Sequence, residues 1–194
     1  MQESVLFNNT SSKVIDDLRQ VLTPGCSVCI AAKSFSIFAY EALRDNLDCV
    51  DNVRFIYTEP AFEKEKKDKQ LREFIIPRIN REKVIHGCEF EIRLRNPLTQ
   101  RSLAHACAEW VDRKCTLYTN TSHELEINEV FVVKNFDGCF AYLQINHFAT
   151  DYLGLTQSGR RPFGNIVRLS GDDALELYAE FETAWNDSEV TDIT

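Results

Sequence analysis

Histidine is the side chain best suited to proton transfer or nucleophilic work near neutral pH, and this chain has four. His123 sits in the stretch Ser-His-Glu-Leu-Glu, which also supplies Glu124 and Glu126, and His147 follows Asn146 at the end of a later apolar run. These two flank one predicted hairpin, so a fold can bring them together at its base. His86 precedes Gly87 in a predicted turn. His105 lies on a predicted helix at helical spacing from Arg101 and Glu109, and reads as a surface residue. A histidine alone implies no site, and structural or solvated roles compete with catalysis at each position.

Other chemistries leave little trace. Cys26-x-x-Cys29 is the only CxxC. A structural zinc site needs a second matched pair, and nothing in the sequence brings His86-x-Cys88 near it. There is no GxxxxGK[ST] and no GxGxxG, and Gly159 and Gly164 lie in a polar loop with Arg160 and Arg161 rather than in a strand–loop–helix phosphate cradle. No GxSxG elbow is present. Cys107 falls on the apolar side of a predicted helix beside Ala104, Ala106 and Ala108, a place for burial rather than reactivity. No resident metal or cofactor is expected.

The elements that must position these residues follow from periodicity. Val14, Ile15, Leu18, Val21 and Leu22 have helical spacing, with Ser11 or Ser12 as the cap and Pro24-Gly25 as the stop. Ser27–Ala32 is short and apolar, a buried strand. Phe35, Phe38, Ala39, Ala42, Leu43 and Leu47 mark a helix capped by Ser34 or Ser36, and Val53–Tyr57 is the next strand. Strand, helix and strand in this order make a βαβ unit with a right-handed crossover. Phe90, Ile92 and Leu94 alternate with charged residues as in a half-buried strand. Residues 98–113 fit a helix, and Cys115–Tyr118, Ile127–Val133 and Cys139–Ile145 fit strands, with Asp137-Gly138 turning the last two into a hairpin. A polar loop spans 156–165, and Asp172 and Asp173 begin a last helix. The predicted fold class is α/β: a mixed sheet with helices on both faces. Residues 1–10 read as an arm, 11–185 as one domain, and 186–194 as a polar tail without periodicity.

The 194 residues suit one domain, and 44% hydrophobic residues suffice for a core. Seven cysteines at irregular spacing, most of them in apolar runs, read as buried thiols in a reducing compartment. No apolar run spans a membrane, and Met1-Gln2-Glu3-Ser4 does not open a signal peptide. The expected location is cytoplasmic, with no membrane partner. A net charge of −8 argues against a free-standing nucleic-acid binder. The charge is uneven, though. Residues 64–114 hold thirteen Lys/Arg against eight Asp/Glu, net +5, which leaves −13 for the rest. Such asymmetry marks either a local anion-binding face or a solvated helical surface.

Several stretches together resemble a known module. Ser27–Leu47, an apolar strand followed by Ala-Lys-Ser-Phe and an amphipathic helix, resembles the opening of phospholipase D-like domains. Glu89–Leu103 and Ala106–Lys114 resemble the segment typical of the subgroup fused to bacterial Snf2-type and DEAD-box helicases. Ile145–Leu155 is similar to the GSxNxTxxGL stretch of that superfamily, and Trp185–Thr194 resembles the linker into the helicase. The resemblance implies phosphodiester chemistry. An HxK motif and a downstream acid form the site, one histidine attacks phosphorus, and Lys and Asn hold its oxygens. Here the corresponding strand reads Ile127-Asn128-Glu129. Isoleucine is no nucleophile, and a glutamate in the lysine place repels phosphate. His123 lies four residues upstream, ~13 Å along a strand. Asn146 and His147 cover the family's Asn region, and Asp151 stands for its acid.

Three functions are compatible with this pattern. The first is a degenerate module that places a helicase region of the same polypeptide on nucleic acid, DNA in the first instance, or mediates assembly. Arg93, Arg95, Arg101, Arg160 and Arg161 would then be phosphate contacts. The second is an active nuclease with a displaced constellation of His123, Glu124, Glu126, Asn146, His147 and Asp151, whose carboxylates could bind Mg²⁺. The third is a structural homodimerisation domain.

Overall fold

Two parallel crossovers build the centre of the molecule. The computed structural model describes residues 4–60, 63–64, 74–75, 97–122, 124–155 and 165–194. Strand β1 (Val5–Phe7) and helix α1 (Val14–Val21) lead into β2 (Ser27–Ala32), α2 (Ile37–Leu47) and β3 (Asn52–Tyr57). β4 (Glu63–Lys64) and β5 (Phe74–Ile75) form a small ladder of their own. Helix α3 (Pro97–Lys114) returns the chain to β6 (Cys115–Asn120). The hairpin β7 (Val130–Asn135) and β8 (Gly138–Leu143) follows, then β9 (Ile166–Ser170), α4 (Asp172–Trp185) and β10 (Val190–Asp192).

Eight strands form one sheet in the order β1-β9-β8-β7-β2-β3-β6-β10. β2, β3 and β6 are parallel, and every other pairing is antiparallel. This is the mixed α/β sheet that the periodicity predicts, with helices on both faces. α1, α2 and α3 share one core with Val28, Ile30 and Ala32 of β2. α4 covers the other face, over Cys29, Ala31, Ile56 and Val132. A central strand covered on both sides reads as a continuous apolar run, which is why Ser27–Ala32 shows no alternation. Cys26 and Cys29 lie in different cores, on opposite faces of the sheet.

Polar anchors fix the helices. Trp110 Nε1–H donates to the Leu47 carbonyl at 3.2 Å and ties α3 to α2. Tyr142 O–H donates to Asp17 at 2.6 Å, and Arg168 pairs with the same carboxylate at 2.5 Å, which ties α1 to β8 and β9. Under α4, Arg54 of β3 makes a two-pronged pair with Glu182 at 2.5 and 3.0 Å, and also donates to Tyr178 Oη and Cys29 Sγ. The aromatic rings of Phe181 and Trp185 flank its guanidinium, each 5.3 Å away. Among the described residues no helix is long and apolar enough to cross a membrane.

Several expectations need correction. Neither Ser11 nor Ser12 caps α1: Asn9 Oδ1 accepts the Val14 N–H at 3.0 Å, while Asn8 Oδ1 takes the amides of Thr10, Ser11 and Ser12. Of the two serines offered for α2, Ser36 is the cap, accepting from the Phe38 N–H. The strand predicted from Ile127 begins at Val130, because residues 124–129 run beside α4 rather than along β2. The hairpin turn falls on Phe136-Asp137, where Asn135 Oδ1 accepts both the Asp137 and Gly138 amides. Residues 5–7, read as an arm, and 190–192, read as a tail, are the two edge strands of the sheet. Three-residue edge strands are held by backbone pairing and carry little side-chain signal. β9 is likewise quiet, since Ile166 alone of its residues is fully buried. The predicted strand around Phe90–Leu94 and the loop at 156–164 lie outside the described residues.

Candidate functional site

In open α/β sheets, ligand sites form beyond the carboxyl ends of the parallel strands. Here β2 ends into Lys33 and Ser34, β3 into Thr58 and Glu59, and β6 into Asn120. The segment 144–148 is stitched alongside 33–36. The Lys33 amide donates to the Asn146 carbonyl at 2.8 Å, the Phe148 amide to the Ser34 carbonyl at 2.9 Å, and the Ser36 amide to the Phe148 carbonyl at 2.8 Å. Gln144 makes the corner before this segment, with a positive φ of 68°. The stitching sets His147 beside Ser34, whose Oγ shares a 2.8 Å hydrogen bond with His147 Nδ1.

From the other side, Asn120 ties Ser122 and Leu125 to the chain just beyond β3. Its side-chain amide donates to the carbonyls of Thr58 and Leu125, and its Oδ1 accepts the Ser122 amide. This delivers Glu129 to Lys33. The Lys33 ammonium contacts Glu59 at 2.7 Å and Glu129 at 3.8 Å, and Thr58 O–H donates to Glu129 at 3.3 Å. The cluster is therefore one cation held between two carboxylates, with buried Ser34 and half-buried His147 paired behind it.

Protonation follows from these neighbours. Burial lowers the His147 imidazole below its usual value, the Lys33 charge lowers it further, and Glu59 and Glu129 oppose the shift. The ring is neutral at pH 7 and can give or take one proton. The hydrogen bond to Glu59 raises Lys33, which stays charged. Tyr152, with its ring centroid 5.4 Å from that of His147, is raised chiefly by burial.

The sequence candidates divide as follows. Asn146 and His147 join the cluster, Asn146 through its backbone carbonyl. Asp151 lies in the next turn, where its carbonyl accepts the Gly154 amide, and the carboxylates whose charge acts on His147 are Glu59 and Glu129. Glu124 is exposed, and Glu126 lines a separate groove beneath α4. Ile127 packs against the core under α4, and Asn128 approaches Glu180 at 3.5 Å. Arg101 is exposed on α3. His123, Arg93, Arg95, Arg160 and Arg161 lie outside the described residues. Among the described residues no group of three or more His, Cys, Asp or Glu side chains could hold a metal ion. Lys33, Ser34, Thr58 and Glu59 escaped the sequence reading as site residues. The signal available was positional: each lies within two residues of the carboxyl end of a strand of a parallel pair.

No protein-family model matches the chain, and no curated protein matches it. Among solved structures, the phosphatidylserine synthase of Haemophilus influenzae Rd KW20 is 11% identical, aligned over 99% of this chain and 40% of that one, with a TM-score of 0.49. Two histidine-mutant forms of yeast tyrosyl-DNA phosphodiesterase are 11% and 12% identical over 89% and 88% of this chain, both with a TM-score of 0.43. The chain spans 40% of the synthase's length and 32% of the phosphodiesterase's.

Proposed function

We propose that this chain is a phospholipase D-like module that has lost phosphodiester chemistry and serves to bind nucleic acid, placing or assembling a helicase-type region of the same polypeptide. The reading rests first on the residue pattern from Ser27 to Leu47 and from Ile145 to Leu155. The observation that carries the loss of chemistry is Glu129. It stands where the family pattern has its lysine, and it faces Lys33 and Thr58. Ile127, in the nucleophile's place, packs half-buried against the core under α4.

The electrostatics agree. Two carboxylates around one ammonium leave the cluster net negative. A phosphate brought to ~4 Å from one of them meets repulsion of about 1 kcal/mol in bulk water and about 4 at the effective dielectric of a protein surface. Attraction for phosphate lies elsewhere on the chain, in residues 64–114 with their net charge of +5 and the exposed Arg101. Such contacts position a protein on nucleic acid without reading sequence.

The test is a gel-shift series with labelled single- and double-stranded DNA and RNA at rising salt. The expected result is a shift that weakens steeply with salt, as counterion release demands. Arg101→Glu weakens it and His147→Ala leaves it unchanged. Absence of any shift at low salt would overturn the binding role.

A further inference from the structure

A groove of about 300 Å³ opens between residues 125–128 and the second half of α4, on the sheet face away from α1, α2 and α3. Its walls are apolar, with Ala31 from β2 and Phe181 and Ala184 from α4 among them. Its polar rim carries Glu126, Glu180 and Asp187, and among the described residues no basic side chain lines it. The last turn of α4 also lacks a basic residue. The carbonyl end of the helix therefore adds partial negative charge that no cationic side chain of the helix's own last turn offsets, although the Asn186 side-chain amide donates to the Glu182 carbonyl at 2.7 Å. Ala31 and Ala184 contribute only methyl groups to its wall.

We propose that this groove is a docking site for a basic, apolar segment of a partner protein. One or two aliphatic side chains enter the cavity, and a lysine or arginine beside them pairs with Glu126 and Glu180. Volume and charge together select this occupant. About 300 Å³ lies at the lower limit of ligand pockets, enough for one or two aliphatic side chains and too little for a whole helix face. An uncharged hole would accept any apolar group. Three carboxylates and a helix carboxyl end favour a cation beside it and reject acidic peptides and nucleic acid, since like charges at an interface are costly. The groove thus serves a different partner from the one proposed for the basic stretch, and it stands whether or not that reading holds.

The test titrates the whole chain, ¹⁵N-labelled, with acetyl-Arg-Ile-Leu-Arg-amide and with its acidic twin acetyl-Glu-Ile-Leu-Glu-amide, following amide shifts at low salt. The expected result is movement confined to residues 125–130 and 177–187 with the basic peptide alone. The double variant Glu126→Lys/Glu180→Lys, whose side chains are exposed, should weaken this at least tenfold, and Ala184→Trp, which fills the cavity, should abolish it. No movement at millimolar basic peptide would overturn the proposal, as would equal movement with the acidic twin. Movement of the same residues with protein concentration in the absence of peptide would also overturn it, by making a second copy the occupant. Should Ala184→Trp not fold, the charge-reversed pair decides.

Discussion

Removing Glu182 should cost more stability than removing Arg54, although the two form one ion pair. Arg54 leaves the middle of β3, and its head is enclosed by Tyr178, Phe181 and Trp185. Glu182 leaves the surface of α4 and can turn to water. Their side chains are 21% and 32% exposed. A fully sequestered pair costs ~3–5 kcal/mol to break by removing one partner, and an exposed pair ~0.2–1. Glu182→Met, which strands the guanidinium, should therefore cost about 2–3 kcal/mol, and Arg54→Met about 1–2. The double variant Arg54→Met/Glu182→Met should recover much of the loss and lie within about 1 kcal/mol of the parent, because an apolar pair of similar volume replaces a partly desolvated charge pair. For a chain of this size the larger loss lowers Tm by about 4–12 °C. The assay is urea unfolding read by tryptophan fluorescence, since Trp185 stacks on Tyr118 at 4.1 Å and reports α4 directly. The pH dependence has a defined sign. The hydrogen bond from Arg54 holds the Glu182 carboxyl below its ordinary 4.5. The pair's contribution is complete above that value and is lost as the pH falls through the lowered one. Strict additivity of the two single variants, or a Glu182→Met loss under ~0.5 kcal/mol, would refute the reasoning.

Two further outcomes follow from the site and the turn beside it. The His147 imidazole has a lowered folded value, so the unfolded ring takes up protons first below its ordinary 6.5. Stability should then fall as the pH drops from 6.5 to the folded value and level off beneath it. His147→Gln removes that slope in pH-resolved denaturation, and Lys33→Met raises the ring's titration midpoint by NMR, since it deletes a cation and frees Glu59 and Glu129. Gly154 has a φ of +78°, and a methyl there would meet Asn9 Oδ1 at 2.8 Å. That oxygen caps α1 and the same side chain holds the Tyr152 carbonyl. Gly154→Ala should cost about 2–3 kcal/mol, roughly half from the backbone conformation and half from the displaced cap. Asn9→Ala should cost about 1–2, and the two should combine to less than their sum by chemical denaturation.

How much of this was legible depends on where each signal lies. β2, α2 and β3 are written in local periodicity, and their βαβ order forced the parallel pairing and a helix-covered face. α4 was marked by its paired aspartates and apolar side. β1 and β10 were missed because an edge strand needs only backbone partners, and those partners, β9 for Phe7 and β6 for Val190, are remote in sequence, while β9, paired on both sides, buries only Ile166 fully and so shows no apolar pattern. The Asn9 cap was missed because it reaches past the two serines that sit in the usual place. At the site, the departure at Glu129 was visible as a residue type in an unexpected position. Its meaning was not, because Lys33 meets it only after β2 and β7 pair. Ser34 shows the same limit: nothing local distinguishes it from Ser36, and only the stitching of 33–36 to 144–148 gives one a histidine and the other a helix cap.

The most direct test of the central claim is turnover of a phosphodiester by the whole chain. Incubation with bis(p-nitrophenyl) phosphate and with end-labelled single-stranded DNA, with and without Mg²⁺, should release no product above the buffer rate, even at protein concentrations that shift the same DNA on a gel. Release that disappears in His147→Ala while the fold is retained would contradict it. It would mean that a phosphate is handled between Glu59 and Glu129 after all.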